Sequence, residues 1–135
     1  MKKHLLTISV LLLTTCAFAQ QKSSLFVLII RSKADIKSSP EAIKTNIAHW
    51  TAWMTDLGRH GKIAGGYRFP TEGATVTKAD QPAKPTAYVA NGEQVSSFLI
   101  INAADLNEAK QIAAKCPTFE LGGNVEVRSV QNTAN

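Results

Sequence analysis

Between Pro40 and Gly66 the chain reads PEAIKTNIAHWTAWMTDLGRHGKIAGG, and most of its chemically capable side chains fall here at helical spacing. Asn46, His49, Trp53, Asp56 and His60 recur at intervals of three and four, so they form one stripe of a helix. An imidazole titrates near neutral pH and can give or take a proton, and an indole offers a flat face to a ring. The stripe therefore suits proton transfer to or from a small bound molecule, with His49 as the acid or base and Trp53 as the surface on which a ring stacks. The structural alternatives are a His49 hydrogen-bonded at the edge of a dimer and a Trp53 packed at the rim of the core. Asp56 is seven residues from His49, about 10 Å along the axis at 1.5 Å per residue, too far for a hydrogen bond between them. A carboxylate for His49 has to come from a loop or from another subunit. His60, in the last turn, suits the carbonyl-rich helix end.

A second stripe runs beside it: Ile43, Ile47, Trp50, Met54 and Leu57. Being apolar, it is read as the side facing the core, which leaves the polar stripe at the core's border, where a pocket can open. Ser39 as N-cap, Pro40 at the first helical position and Glu41 in the first turn mark the start of this helix. Arg59, His60 and then Gly61 mark its end.

The elements that must position this helix follow in order. LFVLIIR, residues 25–31, is a central strand, and Arg31 at its end can reach solvent or hold an anionic group. Residues 62–69 read as a strand in which Gly65 and Gly66 allow a bulge or a close approach. TVTK, residues 75–78, and Tyr88–Val89 read as short strands around a proline-bearing loop, and Gly92 as a turn. VSSFLIIN, residues 95–102, is a strand, and Asp105 caps a second helix that Pro117 stops. After the loop TFELGGN, the segment VEVRSV alternates as a last strand. On it Arg128 shares a face with Glu126, exposed to solvent or available to an anionic ligand.

Strand, long helix, strands, helix, strand is the order of a ferredoxin-like split βαβ sandwich, an α+β fold with helices on one face of an antiparallel sheet. The other face then needs cover, and a second copy of the chain packed face to face would supply it.

Composition narrows the compartment and the partners. Residues 1–19 carry Lys2 and Lys3, an apolar run from Leu5 to Leu13, and Ala17-Phe18-Ala19, the three regions of a secretory signal peptide cleaved after Ala19. The run is too short for an ordinary bilayer span, which takes roughly 20 apolar residues. Acylation at Cys16 is the alternative, disfavoured by Thr15 before it. The expectation is a secreted, periplasmic protein with residues 20–24 as a short linker, one domain over 25–131 and a frayed tail at 132–135. Loss of Lys2 and Lys3 lowers the net charge from +5 to +3. The remaining basic residues are scattered, which speaks against nucleic acid. Cys116 is left as a lone thiol, read as a small buried side chain. His49 and His60 lie eleven apart without a paired-ligand spacing, so neither a metal nor a cofactor is called for.

From Leu25 to Val130 the chain resembles the YCII-related (DGPF-type) domain family. LFVLIIR, His49 in the first helix, LGRHGKIAGG, SSFLIINAADLNEAKQIAAKCP and ELGGNVEVRSV carry the likeness. The Asp-Gly-Pro-Phe signature itself is absent, with KPTAYVANGEQVSSF in its neighbourhood. The resemblance implies a dimeric α/β barrel and places His49 at the histidine that some members use with an aspartate. Some relatives are lyases or dehydrochlorinases acting on small ring compounds. Two readings follow: lyase-like acid/base chemistry through His49 on a small cyclic or anionic compound, or a periplasmic ligand-binding or accessory dimer without turnover.

Overall fold

A computed structural model describes residues 23–131. The expected signal peptide and the last four residues lie outside that range. Within it the order is β1 (Ser24–Lys33), α1 (Pro40–Arg59), β2 (Ile63–Arg68), β3 (Glu93–Ala103), α2 (Leu106–Ala113), a 3₁₀ turn (Pro117–Leu121) and β4 (Asn124–Ser129). All pairings are antiparallel, in the order β2-β3-β1-β4. This is the ferredoxin-like α+β arrangement, with β1 central.

Alternation along the strands sorts the two faces of the sheet. Phe26, Leu28 and Ile30 of β1 and Leu99, Ile101 and Ala103 of β3 are buried on one face, where Trp53 and Leu57 of α1 and Ala109, Ile112 and Ala113 of α2 complete the core. Val125 and Val127 of β4 pack against the same core. The opposite face carries no helix. It holds Val27, Ile29, Phe98 and Ile100, all partly exposed, beside Glu126 and Arg128.

The helix boundaries follow their caps. Ser39 Oγ accepts from the Ala42 N–H at 3.2 Å, and Asp105 Oδ1 accepts from the Glu108 N–H at 2.9 Å. α1 runs through Gly58 to Arg59, and Gly61 turns the chain with φ +63°. Two expected strands are not formed. TVTK contributes only the isolated bridge Thr75–Lys84, and Tyr88–Val89 is irregular, followed by a bridge from Ala90 to Glu93. Asn91 and Gly92 between them have φ of 54° and 72°, the backbone of a tight hairpin turn. A ribbon this short, without a sheet or core beneath it, gains too little packing to sustain strands.

Gly66 has φ +155°, and a Cβ there would lie 2.6 Å from the Phe98 carbonyl oxygen. By contrast, a Cβ on Gly58 meets nothing within 4 Å. Gly66→Ala should therefore destabilise the fold by about 1–3 kcal/mol or more. Gly58→Ala should stabilise it by about 0.5–1 kcal/mol through helix propensity. Denaturant midpoints of the two variants check this, and a neutral Gly66→Ala would contradict the strained geometry of β2.

Candidate functional site

The rotation of α1 about its axis decides what each of its side chains can do, and a buried amide sets it. Asn46 is only 5% exposed. Its Nδ2 donates to the Pro117 carbonyl at 2.7 Å and to Glu120 Oε2 at 2.9 Å, which seats the N-terminal half of α1 on the 3₁₀ turn. Leaving such a buried group unpaired costs about 1–3 kcal/mol, so one rotation is strongly preferred. The turn is itself anchored: Thr118 Oγ1 donates to the Arg31 carbonyl at 3.0 Å, and the Gly123 N–H donates to the Thr118 carbonyl at 2.9 Å. A Cβ on Gly123 would lie 2.3 Å from the Arg31 carbonyl oxygen, so only glycine lets the chain pass there.

This rotation corrects part of the expected facing: Leu57 enters the core as expected and Trp50 and Met54 pack half-buried against it, but Ile43 and Ile47 do not. The side towards the core carries Asn46, Trp53 and Leu57. Ile43 and Ile47, expected in the core, are 38% and 60% exposed. With Trp50 and Met54 they form one wall of a groove of about 680 Å³ between α1 and the β2–β3 half of the sheet. The floor is made by Ile30, Ser32, Ser97 and Leu99, and the outer edge by the Gly65–Arg68 segment of β2. Gly66, paired with Leu99 on the helix-bearing face, has no side chain to fill the space above the strand. Trp50 stands edge-on to Trp53, ring centres 5.5 Å apart at 79°, so the core tryptophan holds the groove tryptophan in place.

The four side chains singled out from the sequence do not meet. Trp53 is 8% exposed, built into the core, and its indole N–H has no hydrogen-bond partner among the described residues. The tryptophan that lines the groove is Trp50. His49 lies on the flank of α1 away from the groove, roughly 100° round from Trp50 at 3.6 residues per turn. Arg31 and Arg128 point from the helix-free face of the sheet, where Arg31 Nη2 pairs with Glu126 Oε2 at 2.9 Å and Arg128 Nη1 lies 3.7 Å from Glu126 Oε1.

His49 does have a carboxylate. Its Nδ1 is 2.8 Å from Glu120 Oε1. An ionised carboxylate only accepts hydrogen bonds, so Nδ1 carries the proton of this contact, and Nε2 is an acceptor whenever the ring is neutral. Asn46, by donating to Glu120 Oε2, and then His49 hold the Glu120 carboxyl below the usual carboxylate range, against an opposing effect of desolvation. Asn46, Glu120 and His49 thus form a hydrogen-bonded chain that runs from the buried amide out to the protein surface. Asp56 takes no part in it; His60 Nδ1 turns back to the Asp56 carbonyl at 2.8 Å. Glu120 escaped the sequence reading because TFELGGN looks like a loop. Pro117 at a helical first position and Gly122, with φ +76°, were the local signs of a turn.

Cys116 is buried, and burial pushes its thiol up to about 11, so it is an inert core side chain. Among the described residues no cluster of His, Cys, Asp or Glu could hold a metal ion, and no helix is long and apolar enough to cross a membrane.

The YCII-related domain model matches residues 24–133. No curated protein sequence matches the chain. Among solved structures, the chain is similar to 5-chloro-2-hydroxyhydroquinone dehydrochlorinase (TftG) from Burkholderia phenoliruptrix AC1100, in its complex with 2,5-dihydroxybenzoquinone. The identity is 19% and the TM-score 0.44, over 79% of this chain and 93% of that one.

A carboxyl whose pKa is lower in the folded than in the unfolded protein adds stability above the unfolded value, about 4.3 for Glu, and loses it as pH falls through the folded value. The stability of the wild-type protein relative to Glu120→Gln should accordingly shrink on acidification below about pH 4.3. Carboxyl NMR should show the Glu120 titration move upward in Asn46→Ala. A gap independent of pH, or an unchanged titration, would contradict the hydrogen-bonded chain.

Proposed function

Since the chain belongs to the YCII-related domain family, we propose that it is a secreted, periplasmic protein that binds a small, largely apolar molecule in the groove beside α1. The groove carries this reading. Its volume lies within the roughly 300–1,000 Å³ of small-molecule sites, and its walls combine the Trp50 ring, aliphatic side chains and a few hydroxyls. Secretion rests on residues 1–19, and the working form is a homodimer. The helix-free face of the sheet, with Val27, Ile29, Phe98 and Ile100 partly exposed, gives a second copy an apolar surface to cover.

A second reading is supported by one observation, the 2.8 Å contact between His49 and Glu120. In it the protein is a lyase-like enzyme. His49 Nε2 takes a proton from a carbon of a small cyclic compound, the C–H electron pair becomes a double bond, and the leaving group departs from the adjacent carbon. Glu120 steadies the imidazolium. Such a substrate would sit on the outer flank of α1. Arg31 and Arg128, expected as its anion holders, belong to the opposite face of the sheet and would reach it only from another copy.

The leaderless protein should bind the neutral fluorophore N-phenyl-1-naphthylamine saturably, and Ile47→Asn, which changes an exposed groove residue, should weaken it about tenfold or more. Lack of saturation, or full binding by Ile47→Asn, would count against the groove. If turnover of a cyclic substrate is found, His49→Ala should abolish it, and unchanged turnover would remove the second reading. Sedimentation equilibrium should give twice the protomer mass; a monomer at micromolar concentration would contradict the dimer.

A further inference from the structure

The groove is apolar at one end and cationic at the other. Strand register shows why: Arg68 of β2 pairs with Ser97 of β3, and Ser97 pairs with Ile30 of β1. Ile30 faces the helices, so Ser97 and Arg68 lie on the same face, along the floor and outer edge of the groove. Ser32, two residues beyond Ile30, shares that face too. The far end is formed by Met54, Ile63 and Leu99, with Trp50 on the wall.

The charge at the mouth is uncompensated. No Asp or Glu lines the groove. Arg68 takes part in none of the ion pairs formed among the described residues, whereas Arg31, Lys33, Lys62 and Arg128 each have a carboxylate. The hydroxyls differ in the same way. Ser96 Oγ donates to the Ile30 carbonyl and Thr118 Oγ1 to the Arg31 carbonyl. Ser32 and Ser97, both half-buried, have no such protein partner among the described residues and can donate to a ligand oxygen.

Resting on the groove as a binding site, we infer that its ligand is an amphiphilic anion: a ring or short hydrocarbon body with one terminal carboxylate, sulfonate or similar oxyanion. The body lies against Trp50, Ile47 and Met54. The oxyanion meets the Arg68 guanidinium, which matches two oxygens at once, with Ser32 and Ser97 beside it. A cationic ligand would leave the guanidinium facing a like charge. A wholly apolar one would leave its charge and both hydroxyls without a partner.

Two probes with the same aromatic body separate this from the groove reading itself. At low ionic strength the sulfonated 1-anilinonaphthalene-8-sulfonate should bind about tenfold tighter than the neutral N-phenyl-1-naphthylamine, the difference expected of one charge-assisted contact. Arg68→Gln, an exposed position whose replacement leaves the core intact, should remove that preference and leave the neutral probe unchanged. Ile47→Asn should weaken both. Equal affinity of the two probes for the wild-type protein, or an equal loss of both in Arg68→Gln, would overturn the anion assignment while the groove stands. Failure of both probes to saturate would overturn the groove, and the assignment with it.

Discussion

The side-chain amide of Asn46 is the constraint on which the arrangement of the site depends. Buried at 5% exposure, it can be accommodated only with its donors satisfied, and the Pro117 carbonyl and Glu120 satisfy them. That requirement turns α1 so that Trp53 and Leu57 enter the core. Ile43 and Ile47 are consequently carried to the side, with Trp50 and Met54 between them and the core, and apolar surface is left standing above Gly66 of β2. The groove is therefore a by-product of how one polar residue is buried. The same amide also fixes the carboxylate that holds His49.

The sheet separates two kinds of chemistry that the sequence alone left together. On its helix-bearing face are the groove, which Asn46 also lines, and, on the other flank of α1, the Glu120–His49 pair. On its helix-free face, Arg31, Glu126 and Arg128 form a charged row beside Val27 and Ile29. In a single subunit these are different environments. On the helix-bearing face the groove offers a recessed apolar surface, whereas His49 is half exposed to solvent. The thiol of Cys116 is buried and belongs to neither environment.

Much of the fold was legible because it rests on local signals. Ser39 and Asp105 cap their helices as residue type and position require, and the apolar runs of β1 and β3 are long enough to be read without the structure. Alternation in VEVRSV placed Arg128 beside Glu126 and opposite Val125 and Val127, as observed. The rotation of α1 was not legible. Two stripes about 100° apart each carry a tryptophan, and ranking by apolarity puts Ile43 and Ile47 inward. What reverses the choice is a hydrogen bond from Asn46 to a carbonyl 71 residues away, and no local pattern records it. Glu120 was hidden for the same reason: it lies in a segment that only its tertiary anchors, Thr118 and Gly123, hold in shape.

Acrylamide quenching of the two single-tryptophan proteins, Trp50→Phe and Trp53→Phe, tests the rotation of α1 most directly. The indole left in Trp50→Phe is Trp53 and should be well shielded, with blue-shifted emission. The one left in Trp53→Phe is Trp50 and should be readily quenched from the groove. The opposite order, with Trp50 shielded and Trp53 open, would mean that the aliphatic stripe faces the core and would contradict the account of both the groove and the histidine.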